Sequence, residues 1–239
     1  GAAAAELRVV VTSKPIHSLV AAVMGDVGSP RLLIEGNASP HTFSLKPSDA
    51  KALHAADIVF RVSEDLEPFT TRVFKSLPTS VRAVSLAAAP GLALLAMREG
   101  GAFEAHAHDV KGHAHGKGKD KGANKHEHDE TDPHVWLDPV NAKTLVEYIG
   151  SVLAAASPRD AVAFKANAAK VAGRIDALDG ELERDLKPVG AKPFVVFHDS
   201  LQYLEARYRL TAVGTITVKT EQQPSARRLS DLRRKISGL

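Results

Sequence analysis

The side chains best able to do chemistry in this 239-residue chain are its eleven histidines. Six of them are crowded into one polar stretch rich in Gly, Lys and Asp: His106, His108, His113, His115, His126 and His128. Imidazole is a favoured ligand for zinc, copper, nickel and iron. Because this stretch has almost no apolar side chains to bury, we expect a solvated, disordered loop over 104–130. Two hypotheses stay open for the loop: low-affinity collection of metal ions, or a charged insertion without a metal role.

The other five histidines are isolated in the sequence. His54 falls inside a predicted helix and His17 near the start of another, so we expect both to be ordinary packed or surface residues. His41 and His198 follow predicted strands, and His134 lies in a Pro-bracketed turn before a helix. Three neutral imidazoles around one divalent ion leave a position for water or an acidic side chain, a known zinc arrangement. Spacing alone makes these three candidate ligands, with a structural role as the alternative for each.

Three aspartates lie close in sequence to these candidates. Asp132, Asp138 and Asp199 could each accept the second ring N–H of a ligating histidine and so fix its tautomer. Their alternative roles are helix capping and turn formation. For Asp138, which directly precedes Pro139, we favour the capping role.

The elements that must position these side chains alternate between strands and helices. Predicted strands cover 7–12, 31–34, 57–62, 81–86, 194–197 and 212–218, and predicted helices cover 16–24, 68–77, 139–156, 158–187, 201–208 and 225–236, with a further helix opening at Pro47. This alternation predicts α/β lobes, each with a mostly parallel sheet flanked by helices. In such sheets ligands bind in the crevice beyond the carboxyl ends of the strands, where loops from distant parts of the chain converge.

The long helix predicted over 158–187 suggests how the chain is divided. At 1.5 Å per residue it would span about 45 Å, which is longer than a small domain needs. We therefore expect an N-terminal α/β lobe over 1–157, one long rigid connecting helix over 158–187, and a C-terminal α/β lobe over 188–239. The second lobe has only two βα units, few for a sheet that must bury both faces, so we expect it to be incomplete.

Composition narrows the class of protein. The chain is 44% hydrophobic with a net charge of +3, and its lysines concentrate in the His-rich stretch, so we expect no nucleic-acid partner. Because the sequence contains no cysteine, we expect no disulfides, no thiolate ligands and no lipid anchor on an N-terminal cysteine. The small residues of 1–6 resemble the remnant of a cleaved signal peptide, which predicts export. The alternative is a cytoplasmic protein that begins with a cloning remnant.

Three local strings carry a resemblance to a known family. They are Gly-Asn-Ala-Ser-Pro-His-Thr-Phe-Ser-Leu-Lys-Pro-Ser-Asp over 36–49, Asp-Pro-His-Val-Trp-Leu-Asp-Pro over 132–139, and Phe-His-Asp over 197–199. They resemble the metal-binding signatures of the zinc-specific substrate-binding proteins of bacterial ABC transporters. The resemblance covers nearly the whole chain in order, including the long helix and the charged His-rich insertion.

The resemblance implies a role and a site. It implies capture of Zn²⁺ in the periplasm, in the cleft between two lobes, and delivery to an inner-membrane permease driven by an ATPase on the far side. A periplasmic zinc chaperone could be a further partner, and we expect a monomer. It implies His41, His134 and His198 as ligands. Manganese-selective relatives usually carry a carboxylate at the position of His198, so the imidazole here favours zinc.

The chain also departs from the family pattern. Relatives are longer and carry a further acidic ligand in a C-terminal portion that this sequence does not include, and some have Glu where this chain has Pro40. The fourth ligand is then water or a residue beyond Leu239. Two rival functions stay open: a zinc-dependent hydrolase, because three histidines and a bound water can generate hydroxide near neutral pH, and a manganese or iron carrier of the same fold. We find no His-Glu-x-x-His string and expect no enzyme.

Overall fold

The computed structural model describes residues 6–98, 103, 131–217 and 223–238. Its strands are β1 (Val9–Val11), β2 (Arg31–Leu32), β3 (Ile58–Arg61), β4 (Arg82–Ser85), β5 (Pro193–Val196) and β6 (Thr211–Thr215). Its α-helices are α1 (Lys14–Met24), α2 (Pro47–Ala55), α3 (Thr70–Ser76), α4 (Pro139–Ala156), α5 (Ala161–Leu186), α6 (Gln202–Tyr208) and α7 (Ala226–Ser237). The six histidines from His106 to His128 lie outside the described residues.

The larger sheet has the order β2-β1-β3-β4 with every pair parallel. Successive residues of a strand point to opposite faces, and β1 shows this directly. Val9 and Val11 face the main core formed with α1, α4 and α5, whereas Val10 faces a second core formed with α2 and α3. Helices therefore cover both faces of the sheet, as the run of valines in this strand requires.

The smaller sheet pairs β5 with β6 in parallel, with a register irregularity between Phe194 and Val195. Helices α6 and α7 complete this part of the chain. β6 ends at Thr215, earlier than the strand predicted over 212–218. Residue 218 itself lies outside the described residues. The predicted α/β class, with parallel sheets flanked by helices and one long helix, is confirmed.

The long helix begins three residues later than predicted because a 3₁₀ turn, Pro158–Asp160, precedes α5. Its 26 residues give a length of about 39 Å. The first half packs into the main core through residues such as Phe164, and Gly150 of α4 permits a close approach: a Cβ there would lie 2.9 Å from Ala168 Cβ. The second half contacts α6, where Asp179 accepts a hydrogen bond from the Tyr208 hydroxyl at 2.8 Å.

No helix within the described ranges is both long enough and apolar enough to cross a membrane.

Candidate metal centre

Three histidines from distant parts of the chain meet at one place. His41 lies in the loop between β2 and α2, His134 in the turn before α4, and His198 two residues after the end of β5. Each offers a ring nitrogen, and these nitrogens all lie within 4.8 Å of one another. The ring centroids are 6.0 Å apart for His41–His134, 6.2 Å for His41–His198 and 5.5 Å for His134–His198.

This spacing is close to what a metal ion needs. Zinc–nitrogen bonds of about 2.0–2.1 Å in a tetrahedral site place neighbouring ligand atoms about 3.4 Å apart. Small side-chain movements would bring the three imidazoles to that distance. The described histidines outside this group do not join it: His17 contacts the Pro30 carbonyl oxygen at 2.9 Å and His54 is an exposed residue of α2.

The loop that carries His41 is held by short polar contacts. Gly36 has φ +64°, a left-handed conformation that glycine adopts without steric cost, and its carbonyl oxygen accepts a hydrogen bond from Lys14 Nζ at the start of α1. Further along the loop, the Ser39 hydroxyl accepts from the His41 backbone N–H at 3.3 Å. The loop is thus tied to the start of α1.

His134 is the most firmly held of the three. It is buried, and its ring Nδ1 lies 2.7 Å from Asp132 Oδ1, which also accepts from the His134 backbone N–H at 2.9 Å. With Nδ1 donating to a carboxylate, Nε2 is left as the free acceptor that can bind a metal. The Trp136 ring packs edge-on at 5.5 Å and shields the other side.

His198 is half-buried at the end of the smaller sheet. Partial burial lowers the pKa of His198 below its ordinary value, and the neighbouring His134 and His41 imidazoles lower it further. Both effects favour the neutral ring, which is the form that binds a metal ion.

The three aspartates have three different roles. Asp132 holds His134, as predicted. Asp138 caps α4 by accepting from the Val140 backbone N–H at 2.9 Å, the role we favoured. Asp199 does not fit the prediction that it would accept from an imidazole, because both of its carboxylate oxygens accept from Arg98.

The histidines open onto a cavity of about 380 Å³. Its walls are mostly apolar, and the described residues that line it are Ser13, Lys14, Pro15, Ile34, Ala38, Ser39, Pro40, His41, Leu66, His134, Trp136, Leu137, His198 and Ser200. A pocket with a few convergent imidazoles and apolar walls suits a small cation that sheds its water.

The family model for "ZnuA: Zinc-uptake complex component A periplasmic" matches residues 9–238. The chain belongs to the ZnuA family. The resemblance stated from the three sequence strings is thereby confirmed. Members of this family are substrate-binding components of transporters that work with an ABC permease and its ATPase, and they are not enzymes.

Individual ZnuA proteins and solved structures agree. The high-affinity zinc uptake system protein ZnuA of Brucella abortus is 41% identical over 245 residues, covering 97% of this chain and 73% of the relative. The protein of the same name from Paracoccus denitrificans is 35% identical over 255 residues, covering 98% and 74%. The crystal structure of the Zn(II)-bound ZnuA-like domain of Streptococcus pneumoniae AdcA has a TM-score of 0.74 and 25% identity, covering 98% of this chain and 76% of that one.

Sequence reasoning missed several residues that hold the segments next to the three histidines. Tyr203 of α6 is buried in the main core, where its hydroxyl donates to the Asp132 carbonyl oxygen at 2.9 Å and accepts from the Leu95 N–H at 3.1 Å. Arg98 joins Asp199 to Glu205. These contacts link residues between 71 and 108 positions apart, and no local pattern indicates them.

Proposed function

We propose that this chain captures Zn²⁺ between His41, His134 and His198 and passes it to the permease of an ABC transporter for zinc uptake. The observation that carries the proposal is the convergence of three imidazole nitrogens, from three separate loops, to within 4.8 Å of one another. Three imidazoles brought together at the mouth of a cavity add little to the stability of the core. Their convergence therefore supports a metal-binding role.

The donor set favours zinc over manganese or iron. Imidazole nitrogen suits zinc, whereas manganese prefers carboxylate, carbonyl and water oxygens. The nearest carboxylates are engaged elsewhere: Asp132 binds His134, and Asp199 binds Arg98. The relatives from Brucella abortus and Paracoccus denitrificans are named for zinc uptake, and the Streptococcus pneumoniae neighbour is Zn(II)-bound, which supports the same ion here. The fourth position is then filled by water or by another oxygen ligand.

The place of action follows from the family. The family description is periplasmic, and we propose that this chain works there as a monomer after export. It would take up zinc that is free or held by another carrier and release it at the inner membrane. The His-rich segment 104–130 would hold further ions weakly.

We propose that the site lies in a cleft between a lobe of residues 1–157 and a lobe of residues 188–239, joined by the helix of 158–187. The stiff α5 packs against α1 and α4 along its first half, which opposes wide hinge opening. Zinc binding and release would then need only small lobe shifts and local movement around His198.

Calorimetric titration with Zn²⁺ tests the proposal. His41→Ala, His134→Ala and His198→Ala should each weaken the tight site by at least about 100-fold, since each removes one of three protein ligands. His54→Ala is the matched control, an exposed histidine of α2 outside the group, and it should bind as the unmodified chain does. Unchanged affinity in all three site variants would contradict the assignment, and displacement of zinc by equimolar Mn²⁺ would favour a manganese carrier.

A further inference from the structure

Arg98, which follows β4 in the chain, binds two carboxylates beyond β5, those of Asp199 and Glu205. Its Nε donates to Asp199 Oδ2 at 3.0 Å, and its Nη2 donates to the other oxygen of the same carboxylate. Toward α6, Nη1 and Nη2 donate to Glu205 Oε2 and Oε1 at 2.9 and 2.8 Å. One guanidinium thus binds two carboxylates through paired hydrogen bonds, the strongest geometry available to arginine.

The segment just before Arg98 contacts both proposed lobes. The Leu95 carbonyl oxygen accepts from the Asp132 N–H at 2.8 Å, and the Ala96 carbonyl oxygen accepts from Gln202 Nε2 of α6 at 2.8 Å. Ala96 also forms an antiparallel bridge with Thr131, next to the Asp132–His134 pair. Arg98 therefore connects Asp199 to the segment that pairs with the chain beside His134.

His198 needs such support more than the other two histidines. His134 is held by Asp132, and the His41 backbone by Ser39, whereas none of the described residues hydrogen-bonds to the His198 ring. Phe197 is exposed, so packing does little to fix this turn. What holds the backbone on each side of His198 is the Thr217 N–H donating to the Phe197 carbonyl oxygen at 2.8 Å, and the Arg98–Asp199 contact.

We infer that Arg98 is a positioning residue for His198: by clamping Asp199 against α6 and the larger lobe, it holds the third imidazole where the metal ion needs it. This inference rests on the proposed function, in which His198 is a ligand. The clamp lowers the cost of ordering His198 when the ion binds, and it slows release because the ligand cannot swing away while Asp199 is held.

The positive charge of Arg98 also helps to hold the turn that carries His198. Without the guanidinium, the carboxylates of Asp199 and Glu205 would face each other, and both are largely shielded from water. Their repulsion would push the turn that carries His198 away from α6. Lysine could compensate part of this charge, but it cannot bind two carboxylates through paired hydrogen bonds.

Zinc binding and cobalt spectra of Arg98→Met and Arg98→Lys test the inference. Arg98→Met should weaken Zn²⁺ binding about 10-fold, with the larger change in the dissociation rate, and Arg98→Lys should recover part of the loss. The visible spectrum of bound Co²⁺ should weaken in Arg98→Met, reporting a ligand set that is less tetrahedral. Arg207→Met is the matched control: it breaks a comparable arginine–aspartate pair, to Asp179 of α5, and should leave affinity and spectrum unchanged.

A second pair of variants separates this inference from the proposed function. In a His198→Ala background Arg98→Met should have no further effect on zinc affinity, because the clamp acts only through that ring. Equal losses in both backgrounds, or a fall in thermal stability with affinity and cobalt spectrum unchanged, would overturn the positioning role. If His198→Ala alone leaves zinc binding intact, the proposed ligand set fails instead. Arg98→Lys keeps the charge, so it gives an answer if Arg98→Met does not fold.

Discussion

Asp132 binds His134 twice through a single oxygen: Oδ1 lies 2.7 Å from the ring Nδ1 and 2.9 Å from the backbone nitrogen. The two contacts fix both the orientation of the ring and the turn that carries it. Both side chains are buried, so water competes little for either contact. This arrangement leaves Nε2 as the ring nitrogen that is available to a metal ion.

Asp132→Asn should therefore weaken zinc binding by about 10- to 100-fold while leaving the three ligands in place. The amide cannot accept from both donors as strongly as a carboxylate, so the ring loses basicity and a defined orientation. Competition with a chromophoric chelator would measure the change. Affinity equal to that of the unmodified chain would show that Asp132 only shapes the turn.

Asp138→Ala should lower the stability of the fold without changing zinc affinity, in contrast to Asp132→Asn. The Asp138 carboxylate caps α4 through the Val140 N–H, and loss of such a cap costs about 1 kcal/mol of folding free energy. Zinc affinity should not change, since Asp138 does not hold any of the three imidazoles. Urea unfolding of the metal-free protein, paired with zinc titration, would distinguish the two aspartates. A large loss of affinity in this variant would contradict the separation of roles.

The sequence predicts the histidines of the candidate site better than the residues that hold them in place. The strings around His41, His134 and His198 identify the three imidazoles, and the short spacing of Asp132 from His134 makes their contact predictable. Asp199 follows His198 directly, yet its partner is Arg98, a residue about a hundred positions earlier. Local spacing cannot indicate such a contact, because it exists only once the segments around Arg98 and Asp199 have packed together in the fold.

The boundaries of strands and helices are also poorly predicted by local sequence patterns. The alternation of apolar runs predicts the described strands and α-helices in order, but β2 is only two residues long and α5 begins after a 3₁₀ turn. Pairing partners and caps decide where an element ends, and these depend on neighbours that the local pattern does not contain.

Glu67 gives a prediction of pH dependence away from the metal. It is fully buried between the ends of β1 and β3, where Oε2 accepts from the backbone N–H groups of Val62 and Ser63 at 2.9 and 3.1 Å and Oε1 accepts from the Thr12 hydroxyl. Burial raises the pKa of Glu67 from 4.5 to about 7, an increase that these hydrogen bonds only partly offset.

Because the folded chain then binds a proton more tightly than the unfolded chain, the free energy of unfolding should fall as pH rises from about 4.5 to about 7. The loss is about 3 kcal/mol. Glu67→Gln removes this titration, and its amide can still accept from the backbone and donate to Thr12. Relative to the unmodified metal-free protein, the variant should gain stability between pH 5 and pH 8 in urea unfolding. A difference that does not vary with pH would contradict the raised pKa.

Removal of residues 104–130 should leave the tight zinc site intact. Ala96 and Thr131 pair in a bridge, so the flanking chain is already close together and a short Gly/Ser linker can replace the segment. Calorimetry should show fewer weakly bound ions and an unchanged tight site. Loss of the tight site would place the chemistry in the His-rich segment instead.

Anomalous diffraction at the zinc edge, from crystals of the zinc-loaded protein, is the most direct test of the central claim. We expect one strong peak about 2.0–2.1 Å from a ring nitrogen of each of His41, His134 and His198. A strong peak elsewhere, with these three rings unliganded, would contradict the account.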